Sequence, residues 1–408
     1  MNTLELTFYP HPTHVTWLDS GFCVMTVRTP SKFARLALAV RYGGMHCEPA
    51  GSAHVLEHLL YEGPARNGVH PLLAPLVPFG VKGNACTSSA FTSYLASGHM
   101  RSAEKMLAAL LVMAFEQSFT SKMVDAERSV IQRETLRTHL SDKLYSWEMR
   151  CKYPNRPLMS NPTIGTAESL SEASFLGLVA SHQNAYVAEN TALIVVGDVA
   201  HERILEQVHD YPFPRGNAVA SDPLFPKYVD ASTTCVHKPP RLIRYFHEPT
   251  DEREQTLLDM ALAVLVESPF GVLYRKLRLE QNLVYHVSAD SDAWPRHEVS
   301  ITVEIEPEWF EHVDAEIDRA IEMVCEGEIP ADALAADRSD RLLNHEVSYW
   351  ETAGADWYEQ QLNDWIGGYL TNVDHERIIR TAREEDLAAV ARTYLGSGHG
   401  TLRIIQTT

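Results

Sequence analysis

Apolar positions that recur with strand spacing open the chain. Residues 21–28 (G-F-C-V-M-T-V-R) and 35–42 (R-L-A-L-A-V-R-Y) read as strands, with a turn at Thr29-Pro30-Ser31 between them and Gly43-Gly44 closing the second. The period then lengthens. A helix is expected from about Ala53 to Glu62, with Ser52 as N-cap and Gly63-Pro64 as its stop. Residues 101–118, 121–140 (opened by Thr120-Ser121) and 172–186 read as further helices, and 191–196 (T-A-L-I-V-V) as a short buried strand ending at Gly197. From about 209 to 238 proline and small polar residues take over, the composition of a linker between domains. Alternation then resumes: strands at 241–246, 283–290 and 298–306, helices at 254–267 and 270–282.

The end of each half reads alike. L-V-A-S-H-Q-N-A-Y-V-A-E-N-T-A-L-I-V-V runs helix, Tyr186, gap, strand; V-A-R-T-Y-L-G-S-G-H-G-T-L-R-I-I repeats that order around Tyr394. The expected fold class is α+β, with two related α/β-sandwich domains, 1–212 and 239–408, joined by a linker at 213–238. Each should hold a mostly antiparallel sheet with helices packed on it. A chain of 408 residues accommodates this, at roughly 100–200 residues per domain.

Composition narrows the function. With 45% hydrophobic and 22% charged residues the chain should build a packed core. Its net charge of −19 and the lack of a basic block argue against a nucleic-acid partner. Six scattered cysteines without a C-x-x-C point to free thiols in a reducing compartment. The start, M-N-T-L-E-L-T-F-Y-P-H-P, has neither the basic nor the apolar region of a signal peptide. The longest apolar run, 106–115, is too short to span a bilayer. A cytoplasmic protein without a membrane partner is the expectation.

The chemistry is concentrated in S-A-H-V-L-E-H-L-L-Y-E-G, residues 52–63. Helical spacing sets His54 and His58 on one face with Glu57 beside them. Two imidazoles so placed can hold one Zn2+, and the order H-x-x-E-H leaves the glutamate free to act as base for a zinc-activated water. The same letters also make an ordinary amphipathic helix around Val55, Leu56, Leu59 and Leu60. A catalytic zinc needs a third protein ligand. The segment D-A-E-R-S-V-I-Q-R-E-T-L-R offers Glu127 and Glu134, seven apart on one helix face, though a solvated charged face would read the same way.

G-S-A-H-V-L-E-H-L-L-Y-E-G and E-R-S-V-I-Q-R-E together resemble the paired motifs of the insulinase/pitrilysin family of zinc metallopeptidases. That family includes the mitochondrial processing peptidases and small bacterial two-domain members. The resemblance implies His54, His58 and Glu134 as zinc ligands, Glu57 as catalytic base, and Glu127 as a supporting residue behind the site. K-G-N-A-C-T-S-S-A-F-T-S-Y, residues 82–94, resembles the family's N-A-x-T-x-x-x-x-T-x-Y edge strand. There Asn84 and Ala85 would bind substrate backbone by adding a strand. Cys86, Ala90 and Leu95 depart from the usual residues of that strand. In the second half L-Y-R-K-L-R-L-E-Q-N-L-V-Y resembles the family's R-x-x-x-x-x-x-Y signature, which implies that Arg278 and Tyr285 bind the substrate carbonyl and stabilise the oxyanion. P-T-I-G-T-A-E-S-L, residues 162–170, and V-A-E-N-T-A-L-I-V-V-G-D-V also follow the family pattern.

The resemblance implies half of a clamshell that encloses peptides or unfolded segments. The zinc domain of one half would face the Arg/Tyr domain of another, as a homodimer or as a heterodimer with a related subunit. The expected activity is that of a zinc metalloendopeptidase. A subunit or scaffold whose partner completes the active site, with peptide maturation as one role, and a metal-independent globular protein stand beside it.

Overall fold

The computed structural model describes residues 2–6, 11–61, 71–116, 118–219, 223–236, 238–266, 269–284, 286–292, 296–351, 365 and 374–406. The chain divides into two compact units. One comprises Met1–Ser146, Arg156–Ser221 and Glu351–Thr371; the other comprises Trp147–Asn155, Asp222–Trp350 and Asn372–Thr408.

Among the described residues the first unit holds a seven-stranded sheet. Its strands are β1 (Asn2–Leu6), β2 (Thr13–Trp17), β3 (Cys23–Arg28), β4 (Phe33–Val40), β5 (Lys82–Thr87), β6 (Thr92–His99) and β7 (Thr191–Gly197), in the order β1-β2-β3-β7-β4-β6-β5. β7 lies inside, parallel to β3 and antiparallel to β4, and all of its residues are buried. That is why T-A-L-I-V-V is continuously apolar. Helices cover the sheet: α1 (Ser52–Tyr61), α2 (Ala103–Leu111) and α3 (Ser121–Lys152). Leu36, Leu38 and Tyr94 of the sheet share one core with Leu56 and Leu60 of α1 and Met106, Leu107 and Leu110 of α2. Each such side chain contributes about 1.5–3 kcal/mol when buried.

The second unit holds β8 (Asp230–Cys235), β9 (Arg241–His247), β10 (Val287–Asp292), β11 (Glu298–Glu304) and β12 (Gly400–Gln406), in the order β10-β11-β9-β12-β8. β12 runs parallel to β8 and antiparallel to β9. Read as β8-β12-β9-β11-β10, this is the order and direction of β3-β7-β4-β6-β5. The echo of helix, tyrosine and strand in the two halves is thus one corner of a repeated topology. The first unit adds the antiparallel pair β1-β2.

Several sequence expectations shift. The 213–238 segment is not all linker: Asp230–Cys235 forms β8, whose polar residues D-A-S-T-T-C alternate between exposed and half-buried at the sheet edge. Residues 147–155, assigned to the first domain from sequence, belong to the second unit. Lys152 explains this: it is 1% exposed, and its ammonium binds Glu148 at 2.6 Å and Glu298 of β11, and lies over the Tyr245 ring. The helix expected at 121–140 continues to Lys152. That expected at 101–118 ends as α-helix at Leu111 and continues as a π-helical turn, Val112–Glu116; that at 270–282 is mostly π-helical, Tyr274–Glu280. Gly63 and Pro64 lie outside the described residues. All six cysteines are free, and no described helix is long and apolar enough to cross a membrane.

His201 joins β2 and β3 from behind: its Nε2 meets Thr16 Oγ1 at 2.7 Å and its Nδ1 meets Thr26 Oγ1 at 2.8 Å. Burial, and after it the neighbouring His14, lower its pKa to about 4. The folded value lies below the unfolded one, so the unfolded chain takes up the proton first and stability falls as pH falls, over the interval from about 6.5 down to about 4. Melting temperature against pH should therefore drop less steeply across that interval in His201→Gln than in wild type.

Candidate metal centre

α1 presents its polar groups on one stripe because Ala53, Val55, Leu56, Leu59 and Leu60 turn into the core. His54 and His58 lie half-buried on the remaining face, their rings edge to face with centroids 4.7 Å apart. Ser52 is not the N-cap: it is the first helical residue, and its hydroxyl donates to the Pro49 carbonyl at 2.7 Å. α3 begins as expected at Thr120, whose hydroxyl accepts from Met123 N–H at 3.3 Å. Its Glu127 and Glu134 both face α1.

The two helices bring the expected ligands together. Glu134 Oε2 lies 4.0 Å from His54 Nε2 and 3.8 Å from His58 Nε2. His58 Nδ1 faces Glu127 Oε2 at 3.4 Å, so the ring is held from behind by a carboxylate that is 2% exposed. Glu57 Oε2 lies 4.0 Å from His54 Nε2 and accepts a hydrogen bond from Thr87 Oγ1 at 2.6 Å. Burial, then the neighbouring His58, pull the His54 pKa down to about 3. Burial also opposes a charge on His58, but the Glu127 hydrogen bond and the carboxylates of Glu57, Glu134 and Glu127 outweigh it and raise its pKa.

These residues fit a zinc ion. A tetrahedral site with bonds of about 2.0–2.1 Å separates its ligand atoms by about 3.3 Å, close to the observed 3.8 and 4.0 Å. His54, His58 and Glu134 are the group among the described residues whose ligand atoms lie within reach of one cation, all within 4.8 Å of one another. His54 keeps a neutral ring at ordinary pH, with a lone pair to give. The carboxylate behind His58 is the usual partner of a metal-binding imidazole.

The other expected site residues are distributed over the fold. Asn84 is exposed and Ala85 half-buried on β5, which pairs with β6 on one side and ends the sheet. Arg278 belongs to the second unit, on the Tyr274–Glu280 turn, and its Nη1 donates to the Val284 carbonyl at 3.2 Å. Tyr285 lies outside the described residues. Sequence reasoning missed Thr87 as a site residue. The signal was present, since Thr87 is the threonine of N-A-C-T, but its contact to Glu57 depends on how α1 crosses β5. It also missed the hydroxyl pair Tyr94–Tyr186, 2.8 Å apart and fully buried.

The second unit repeats the frame, and its described residues hold no such ligand group. In the helix Ala331–Glu351 the sequence D-R-S stands where α3 has E-R-S, and Asp337 Oδ1 accepts from Arg341 Nε at 2.7 Å. An arginine thus supplies the positive charge there.

The family model described as Insulinase (Peptidase family M16) matches residues 23–161, which contain both helices of the site. The model described as Peptidase M16 inactive domain matches residues 178–339. The chain belongs to the insulinase family of peptidases. Among relatives, the beta subunit of the mitochondrial-processing peptidase of Neurospora crassa is 26% identical over 166 residues, 40% of this chain and 35% of that protein. A protease from Helicobacter pylori shares the fold with a TM-score of 0.80 at 17% identity, over 97% of this chain and 99% of that one. The periplasmic protease PqqL from Escherichia coli shares it with a TM-score of 0.72 at 16% identity, over 96% of this chain but 47% of PqqL. This chain therefore spans about half of PqqL and about a third of the Neurospora subunit.

Titration of the metal-free insulinase-family chain with Zn2+ should saturate at one equivalent, and His58→Ala should abolish that uptake. Glu127→Gln should keep the stoichiometry but weaken the affinity about 10–100-fold. Competition against a chromophoric chelator reads both.

Proposed function

We propose that this chain is a zinc-dependent endopeptidase that hydrolyses peptides or unfolded segments. The observation that carries the reading is the convergence of His54, His58 and Glu134 on one point, with the carboxylate of Glu57 at its margin and held there by Thr87. On this reading His54, His58 and Glu134 hold Zn2+, which supplies Lewis acidity toward water and the scissile carbonyl. Glu57 accepts the proton of the attacking water and returns it to the leaving amine. The Thr87 hydroxyl donates to the Glu57 oxygen that faces His54 and so fixes how that carboxylate is aimed. Glu127 holds the His58 ring, fixing which nitrogen faces the metal.

Substrate enters this proposal through β5. An extended peptide laid along that edge meets main-chain groups, so Asn84 and Ala85 bind it with little demand on its side chains. Arg278 and Tyr285 carry charge stabilisation for the tetrahedral oxyanion, contributed by a facing unit. A chamber closed in this way takes an unfolded chain and refuses a folded one. The share of PqqL that the chain covers, and the Neurospora relative's name as a subunit, support assembly with a second half, as a homodimer or with a related subunit. Cytoplasmic residence is part of the same proposal.

A second reading keeps the zinc but gives the chemistry to a partner: a heterodimeric peptidase subunit or scaffold, with peptide maturation as one role. The domain described as inactive in the C-terminal half favours attention to it.

Cleavage of a quenched pool of unstructured peptides decides between them. Glu57→Gln should cut the rate by roughly two to four orders of magnitude while zinc content stays at that of wild type. A zinc-loaded chain active only with a related subunit, in a complex whose rate Glu57→Gln leaves unchanged, would move the assignment to the second reading. Thr87→Val should lower kcat by roughly tenfold with KM little changed, since it frees the base without removing it.

A further inference from the structure

One motif of the sequence has no part in the chemistry above: P-T-I-G-T-A-E-S-L, residues 162–170. It packs between the two helices that carry the ligands. On the α1 side, Gly51 and Gly165 meet backbone to backbone, both at positive φ. A Cβ on Gly51 would stand 2.8 Å from the Ile164 carbonyl oxygen, and one on Gly165 would stand 2.7 Å from that of Ala50. The Ser169 hydroxyl donates to the Ala50 carbonyl at 2.9 Å, immediately before α1. On the α3 side, Arg128 reaches the far end of the same segment, which forms the short helix Ala167–Glu172. Its Nε donates to the Leu170 carbonyl and its Nη2 to the Ala173 carbonyl, each at 2.8 Å, while Asp125 Oδ1 accepts from Nη1 at 3.0 Å. Arg128 directly follows Glu127, the residue behind His58.

We propose that Arg128 is a positioning residue for the metal centre, and that 162–173 is a bracket that fixes α1 against α3 so that Glu127 and Glu134 meet the two histidines. The inference rests on the zinc reading of that site. The physical argument is one of tolerance. Ligands from two separate helices converge only if those helices keep their mutual distance and rotation, and a slip of about 1 Å is enough to spoil a site of this kind. A planar guanidinium with two donors on two carbonyls resists both sliding and rotation, which a single hydrogen bond does not. The second unit holds the internal control. There Arg338 donates from Nε to the Ile379 carbonyl at 3.0 Å and from Nη2 to the Ala382 carbonyl at 2.7 Å, the same clamp in a unit where the described residues offer no metal site.

The test is zinc affinity by chelator competition, with circular dichroism and melting temperature alongside, on wild type, Arg128→Gln, Arg128→Lys, Ser169→Ala and Arg338→Gln. Arg128→Gln should bind zinc roughly 10-fold more weakly or worse, Arg128→Lys should recover part of the loss, and Arg338→Gln should lower the melting temperature yet bind zinc as wild type does. If Arg128→Gln does not fold, Ser169→Ala, which cuts the bracket at its other end, should show the weakened affinity in its place. Wild-type affinity in folded Arg128→Gln, or an equal loss in Arg338→Gln, overturns the positioning role and leaves the zinc reading intact. A wild-type chain that takes up no zinc overturns the zinc reading and this inference with it.

Discussion

Two helices from distant parts of the chain must deliver two imidazoles and a carboxylate to one point. That requirement sets terms for much of the first unit. α1 and α3 are coupled at this point, because His58 of α1 lies between two carboxylates of α3, Glu127 at 3.4 Å from one ring nitrogen and Glu134 at 3.8 Å from the other. Burial keeps His54 neutral, so the site offers lone pairs instead of a second positive charge. Three glutamates approach these two rings, and a divalent cation held there would offset their charge. The arrangement is electrostatically incomplete in a way that a metal completes.

The second unit makes the contrast instructive. It has the same strand order, the same helix bearing an acid, arginine and serine in succession, and the same arginine clamp on a short helix. Its acid, Asp337, is neutralised by Arg341 of its own helix. A guanidinium stands beside that acid, where the first unit sets a histidine ring beside Glu127. One frame thus carries two polar arrangements, a three-ligand group in one copy and an acid paired with an arginine in the other. The family model described as inactive covers much of this second half.

Around the centre, the sheet provides the reach of the site. β5 ends the sheet order, so its outer backbone groups have no strand partner on that side among the described residues. Its inner side carries Thr87 to Glu57. One strand therefore serves two purposes, an edge that an extended peptide can extend and a side chain that orients a carboxylate. This is possible because the backbone hydrogen-bonding groups lie in the plane of the sheet while the side chains leave its faces.

Much of this was legible in the chain alone. Period and composition gave two α+β halves, the strands at β3, β7, β9 and β11, and the helices of the site, because burial imposes its spacing on apolar residues. The letters H-x-x-E-H and E-R-S-V-I-Q-R-E, taken as a resemblance, named the ligand set. Other features depended on neighbours that no linear pattern records. Asp230–Cys235 reads as linker because an edge strand needs few apolar residues, and it became β8 only by pairing with β12 at the far end of the chain. Lys152 reads as a surface charge, and only Glu298, remote in sequence, lets it be buried. Thr87, Arg128 and Ser169 carry no periodic signal at all; each matters through hydrogen bonds to a distant segment. The sequence by itself determined which chemical groups the protein owns and which faces must be buried, since these follow from side-chain type and spacing. The tertiary structure decided which groups meet, because a contact between distant segments depends on how whole elements pack.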